Sequence, residues 1–206
     1  VAPLMQAKLP LATKQAEDWK QLIFKGAVGV FPTETFYGLG GNALDKAAVE
    51  RIFACKKRPV EKSLLILIRR DWLLDFAVVT GKVDSLLDEF WPGALTVVLP
   101  AKKKLPVYLT GQGNTIAVRY SPSKFVDALL GILNKPLIGT SANLSGHPSC
   151  QTVDEAYKQL GPSVDFLLDG GVTKGGLPST ILDASEPNFR IIREGAIPSE
   201  TIQPFL

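Results

Sequence analysis

The chain has 206 residues, of which 46% are hydrophobic and 21% are charged. These proportions are typical of a globular domain with a sizeable core, and they exclude a disordered or fibrous protein. The formal net charge is only +3, so any anion binding must depend on local clusters of basic residues. From the length and composition we expect a single domain over 1–206.

The sequence gives no indication of membrane insertion, secretion or metal chemistry. It contains no apolar run of about 18 residues and no basic N-terminal stretch followed by an apolar segment, so we expect a cytoplasmic protein with no membrane partner. Its two cysteines, Cys55 and Cys150, are far apart and are accompanied by a single histidine. This pattern argues against a disulfide framework and against a dedicated metal site.

The first part of the chain predicts two helices and a strand. Apolar residues recur at helical spacing over 13–25, and a glycine suited to a helix C-terminus follows. Residues 28–31 indicate a short buried strand, which the next residue ends because proline has no N–H to donate to a sheet. We expect 33–42 to form a loop. Asp45 can then cap a second helix, which ends on the basic residues 56–58.

The remaining segments alternate between strand and helix patterns. The continuously apolar segment 64–68 predicts a central strand buried on both faces. Further strands are predicted at 95–99, 115–119, 136–139, 164–168, 179–183 and 190–193. Helices are predicted at 71–76, 83–90, 123–130 and 152–160. Several strands are joined by connections too short for a crossover helix, so we expect an α/β (α+β-like) fold, a twisted mixed sheet with helices on its faces.

Three polar residues follow the first buried strand. In an extended conformation Thr33 and Thr35 would share one side, and Glu34 would take the other. Strand ends of this kind commonly present ligand contacts in α/β proteins. The same side chains can instead stabilise a turn through hydrogen bonds to the backbone. Spacing alone leaves both interpretations open.

A basic cluster surrounds the end of the second helix. Lys56 and Arg58 close that helix, where the dipole favours cations whatever the function. Lys62 follows, just before the central strand, so the cluster would be held on rigid elements. An arginine fork and lysine point charges suit a triphosphate. The sequence lacks a P-loop motif, so any ATP site must use other anion donors of this kind.

The segment 139–146 combines hydroxyls, an amide and two glycines, which suits a ligand-binding loop, although turn chemistry alone also explains it. His147 follows Ser145 too closely to form a catalytic triad without an independent orienting carboxylate, and we interpret it as a loop residue. Arg119 and Arg193 each follow a β-branched residue. They can bind a carboxylate or phosphate, or merely extend towards solvent.

Seven segments in order carry a family resemblance: PTETFYGLG (32–40), KKRPVEKSLLILI (56–68), WPGALTVVL (91–99), TIAVRYS (115–121), GTSANLSG (139–146), PSTILD (178–183) and IIREGAI (191–197). Together they resemble the YrdC-like threonylcarbamoyl-AMP synthases over nearly the whole chain. The resemblance implies a YrdC-like fold with a basic concave cavity. It also implies that L-threonine, bicarbonate and ATP give threonylcarbamoyl-AMP and pyrophosphate for t6A modification of tRNA, with Mg²⁺ carried by the triphosphate.

The resemblance further implies roles for individual residues. Threonine would be bound by Thr35, Arg119, Ser141 and Ser179. ATP would be bound by Lys56, Arg58, Lys62, Thr115, Asn143, Ser149 and Arg193. The catalytic set would be Lys56, Arg58, Ser141 and Asn143. The implied partners are the t6A transferase machinery and tRNA or double-stranded RNA. Two alternatives remain, a non-catalytic RNA-binding domain with the same cavity and a carbamoyl-adenylate-forming module.

Overall fold

The computed structural model describes residues 4–5, 13–57 and 64–206. Its helices are α1 Thr13–Phe24, α2 Lys46–Lys56, α3 Leu73–Phe76, α4 Gly81–Phe90, α5 Val107–Thr110, α6 Lys124–Leu133, α7 Val153–Leu160 and α8 Ser199–Ile202. Its strands are β1 Leu4–Met5, β2 Gly29–Pro32, β3 Tyr37–Gly40, β4 Leu65–Leu67, β5 Leu95–Pro100, β6 Thr115–Arg119, β7 Leu137–Ile138, β8 Thr140–Ser141, β9 Phe166–Leu168, β10 Thr180–Asp183 and β11 Arg190–Arg193. None of the helices described is long and apolar enough to cross a membrane.

The strands form two mixed sheets. One has the order β1-β9-β2-β3-β8, and the other has the order β11-β10-β5-β6-β4-β7. Both contain parallel and antiparallel neighbours, such as β2 beside β9 and β2 beside β3. The predicted mixed α/β fold class is thus confirmed. The chain passes from the second sheet to the first between β7 and β8, which Gly139 alone separates.

Polar side chains fix the starts of three helices as predicted. Asp45 accepts hydrogen bonds from two backbone N–H groups in the first turn of α2, and Ser123 caps α6 in the same way. Thr152 accepts from the N–H of Glu155 at 3.2 Å. The Glu155 carboxylate accepts from Gln151 N–H at 2.7 Å, one residue before the cap. These caps satisfy N–H groups that have no partner within the helix.

The prediction that 33–42 forms a loop was wrong, because β3 lies within it as an inner strand. Glycines weaken strand propensity, and Gly38 and Gly40 hid this strand in the sequence. A Cβ added to Gly40 would lie 1.9 Å from the carbonyl oxygen of Ile138. The backbone of β7 therefore approaches β3 so closely that a glycine is needed there. Strand β8 and helix α5 also had no counterpart in the sequence-based prediction.

Two buried clusters hold the layers together. The larger lies around the six-stranded sheet and α2, α4 and α7, and includes Ile66, Val97 and Val118. The smaller joins α1 and α6 to the other sheet. There Trp19 packs edge to face on Phe166, with ring centroids 5.0 Å apart. This packing fixes the strand ends whose polar residues line the site described next.

Candidate functional site

A cavity of about 370 Å³ lies against one face of the six-stranded sheet. Its residues occupy alternate positions along three neighbouring strands or just before them: Thr96, Val98, Ala117, Arg119, Ser179 and Ile181. Residues on the opposite face of these strands, such as Val97, Val118 and Leu182, are buried in the core. Side chains alternate between the two faces of a strand. The same strands therefore build the core with one face and the cavity with the other.

The opposite wall comes from the five-stranded sheet and its connections. Thr33 and Thr35 both line it, and their hydroxyl oxygens are 3.2 Å apart. Thr33 also donates to the carbonyl of Phe36 at 2.6 Å, so these side chains do stabilise the turn, and the ligand contacts stay a prediction. Ser141 and Ser149 complete the polar part of the wall.

Two arginines dominate the charge of the cavity. The Arg119 side chain is only 6% exposed, and its Nη2 lies 3.4 Å from a carboxylate oxygen of Glu34. Burial lowers the pKa of Arg119, while the charge of Glu34 acts to raise it. Burial also lowers the pKa of Arg193, and the positive charge of Arg119 lowers it further. The two positive charges thus repel each other, and a bound anion would offset this electrostatic repulsion.

The two arginines differ in the hydrogen bonds that they make. Arg193 donates from Nη2 to the carbonyl oxygen of Ser179 at 2.7 Å. The Ser179 hydroxyl lies 2.9 Å from that of Thr96 on the neighbouring strand. By contrast, the buried Nε of Arg119 has no acceptor among the described residues. A buried donor without a partner is costly, so the Nε of Arg119 lacks the compensation that the Arg193 guanidinium receives from Ser179.

Lys56, Ser141 and Asn143 meet beside the cavity. Lys56 is buried at the end of α2, and its Nζ donates to the carbonyl oxygens of Ser141 and, at 2.7 Å, Asn143. The Asn143 amide donates to the carbonyls of Leu144 and His147. Its buried Oδ1 has no hydrogen-bond partner within the described chain. The lysine therefore holds the loop through its backbone, and the side chain of Asn143 crosses the loop through its two donated hydrogen bonds.

The structure places the other predicted residues less centrally or does not describe them. Thr115 shares a strand face with Arg119, four residues and roughly 13 Å away, and it lies beyond the cavity lining. His147 is exposed on its loop, as interpreted from the sequence. Arg58 and Lys62 lie outside the described residues. Across 4–5, 13–57 and 64–206, no group of three or more His, Cys, Asp or Glu side chains could hold a metal ion.

Sequence reasoning assigned no binding or catalytic role to three polar residues that the structure places at this site. Glu34 pairs with Arg119, and Ser121 donates to the Glu34 carboxylate. Thr96 lines the cavity floor beside Ser179. Alternation along 95–99 could have placed Thr96 on the face opposite Leu95, Val97 and Leu99. The contact between Glu34 and Arg119 joins distant parts of the chain and left no local signal.

Comparison with known proteins decides the family. The model of the Sua5/YciO/YrdC family, described as "Telomere recombination", matches residues 21–195. The chain belongs to the Sua5/YciO/YrdC family. This confirms the resemblance seen in the seven sequence segments.

Similar proteins match the chain over different fractions of its length and of their own. A threonylcarbamoyl-AMP synthase of Pyrococcus abyssi is 36% identical over 197 residues, covering 92% of this chain and 58% of that protein. One of Pseudoalteromonas translucida is 41% identical over 164 residues, covering 78% and 88%. The crystal structure of P. abyssi Sua5 complexed with L-threonine has a TM-score of 0.92 and 33% identity, covering 100% of this chain and 61% of that one. The chain thus spans about three fifths of the Pyrococcus protein.

Proposed function

We propose that this protein is an L-threonylcarbamoyladenylate synthase, a nucleotidyltransferase that uses L-threonine, bicarbonate and ATP. The observation that carries the proposal is the pair Arg119 and Arg193, two partly desolvated guanidinium groups in one hydroxyl-lined cavity. Such a pair favours anionic ligands strongly. Two relatives bear the name threonylcarbamoyl-AMP synthase, and a related Sua5 structure holds L-threonine.

Threonine occupies the inner part of the cavity in this proposal. Its carboxylate binds Arg119, whose Nε lacks another acceptor among the described residues. The hydroxyls of Thr35 and Ser179 lie on opposite walls, and together with Ser141 they surround the amino acid. Hydroxyls can both donate and accept, so they suit the threonine hydroxyl and amine.

ATP takes the side of the cavity nearer the basic residues. Arg193 faces its phosphates, and Asn143 offers its unused Oδ1. The full proposed set is Lys56, Arg58, Lys62, Thr115, Asn143, Ser149 and Arg193. Lys56 also holds the loop that carries Ser141. Mg²⁺ enters with the triphosphate and would neutralise part of its charge.

The reaction requires positioning and electrostatics rather than a covalent enzyme intermediate. The threonine amine and bicarbonate form a carbamate with loss of water. A carbamate oxygen then attacks the α-phosphorus of ATP, the bond to the bridging oxygen breaks, and pyrophosphate leaves. Carbamates decompose readily in water, so an enclosed site protects the intermediate. In the proposed catalytic set of Lys56, Arg58, Ser141 and Asn143, the two cations and the hydroxyl would stabilise the charge that develops on the phosphate. Asn143 Oδ1 would accept a hydrogen bond from an N–H or O–H group of the nucleotide.

The proposal extends to the cellular setting. The domain spans 1–206 and acts in the cytoplasm, where the adenylate passes to the t6A transferase machinery for tRNA. The non-catalytic RNA-binding alternative predicts tight, salt-dependent RNA binding without turnover. The carbamoyl-adenylate alternative predicts pyrophosphate release that does not depend on threonine.

The deciding experiment measures pyrophosphate release from ATP with threonine and bicarbonate added singly and together. We expect release only when both are present, and release that is independent of either would refute the synthase. Arg58→Ala should lower the rate sharply in the same assay while the protein stays folded. A tRNA titration at low salt tests the RNA-binding alternative, which loses support if no complex forms.

A further inference from the structure

Glu34 lies beside the buried Arg119 and has no role in the proposed reaction. Its side chain is 15% exposed, and the ion pair between Oε1 and Arg119 Nη2 spans 3.4 Å. Charge-assisted hydrogen bonds are usually 2.7–2.9 Å long. Oε1 makes no hydrogen bond among the described residues, and neither does Arg119 Nε. Glu34 thus balances the charge of Arg119 without using its N–H donors.

The other carboxylate oxygen of Glu34 is fixed by a chain of hydrogen bonds. The Ser121 hydroxyl donates to Oε2 of Glu34 and accepts from Ser123 N–H at 3.1 Å. The Ser123 hydroxyl in turn donates to the carbonyl of Pro32 at 2.9 Å. The network joins the turn after β6 to the turn after β2, one from each sheet. The carboxylate is therefore held from both sides of the cavity.

We propose that Glu34 is a positioning residue, which Ser121 holds in place so that it orients the Arg119 guanidinium towards the threonine carboxylate. This inference rests on the proposed function. A carboxylate beside a cation can act in two opposite ways. As a mere counter-charge, Glu34 would weaken anion binding, and its removal would tighten it. As a positioning group it keeps the guanidinium fork preorganised, and its removal loosens binding.

The test is calorimetric titration of the folded protein with L-threonine. Glu34→Ala should raise the threonine Kd by about tenfold, because the guanidinium would lose the ion pair that holds its orientation. Glu34→Gln keeps an oxygen acceptor for Arg119 and should have a smaller effect. Ser121→Ala removes only the support of the carboxylate and should act in the same direction. In turnover, the threonine KM should rise while the ATP KM stays near its original value.

Asp183 provides a matched control away from the cavity. Its side chain is 14% exposed, close to that of Glu34, and it pairs at 3.1 Å with the exposed Arg190. Asp183→Ala should leave the threonine Kd unchanged. If Glu34→Ala binds threonine as well as or better than the unaltered protein, positioning is refuted.

Two outcomes separate this inference from the proposed function. If Glu34→Ala does not fold, Glu34→Gln and Ser121→Ala provide the test. The positioning role is overturned if both variants bind threonine as tightly as the unaltered protein does. If the unaltered protein itself fails to bind threonine, the proposed function falls and takes the inference with it. Threonine binding that is unaffected by these substitutions removes the positioning role alone.

Discussion

Replacing Arg119 by alanine tests the proposed threonine site directly. The side chain is 6% exposed, and its Nε has no acceptor among the described residues. Removing one partner of a buried, hydrogen-bonded charge pair costs about 2–5 kcal/mol. Since each 1.36 kcal/mol is a factor of ten, kcat/KM for threonine should fall by roughly 30-fold to several thousandfold.

Arg119→Lys separates charge from geometry. Lysine keeps the positive charge but has no planar fork, so its single ammonium cannot serve both Glu34 and a carboxylate in the same way. We expect an intermediate loss, larger in threonine KM than in ATP KM. The assay is pyrophosphate release at varied threonine, with saturating bicarbonate and ATP. Thermal unfolding of each variant shows whether the fold is retained.

The reasoning would be refuted by a folded Arg119→Ala protein whose kcat/KM for threonine lies within threefold of the original value. A lysine variant with unchanged kinetics would refute the bidentate geometry while leaving the charge requirement intact. A parallel loss for every substrate, together with a lower Tm, would indicate that Arg119 acts through the fold.

Three further predictions concern stability and thiol reactivity. Gly40→Ala should lower the free energy of unfolding by several kcal/mol in urea titrations, because a Cβ there lies 1.9 Å from a β7 carbonyl oxygen; an unchanged midpoint contradicts this. Burial acts to raise the pKa of Asp165, but hydrogen bonds led by those from Arg51 lower it. The stabilisation from Asp165 is therefore present above its unfolded pKa of about 4 and lost as pH falls through its folded pKa. The difference in free energy of unfolding between the unaltered protein and Asp165→Asn should shrink over that pH range. A difference that stays constant between pH 7 and 3 would refute the role of Asp165. Burial raises the pKa of Cys150 to about 11, so iodoacetamide at pH 8 should label the less buried Cys55 first, and equal labelling of both native thiols would be inconsistent with this.

Elements with a clear local pattern were predictable from the sequence. Strand β11 occupies 190–193 as predicted, and Asp45 caps α2. Strand β3 was missed because Gly40 meets the distant residue Ile138, and this close approach leaves no local signal. Tertiary packing thus overrode propensity at this strand.

The site was predictable in its residue types more than in its contacts. Arg119 and Arg193 do line one cavity. Lys56, expected from the resemblance to face ATP, contacts the backbone carbonyls of Ser141 and Asn143, 85 and 87 positions further along the chain. A basic residue at a helix end can be recognised from the sequence, but the sequence does not show which group that residue contacts. Sequence spacing also carried no information on the pairing of Glu34, which depends on how the two sheets meet.

The one-residue connection at Gly139 has a practical consequence for protein engineering. A side chain there would strike Leu67, with a Cβ 2.5 Å from its nearest atom, and both neighbouring residues are already committed to different sheets. An epitope tag or fluorescent reporter inserted at this position would separate the sheets that form the cavity. The lysine turn at 102–104, with Lys103 and Lys104 exposed, can lengthen outward and is the place to add such a label.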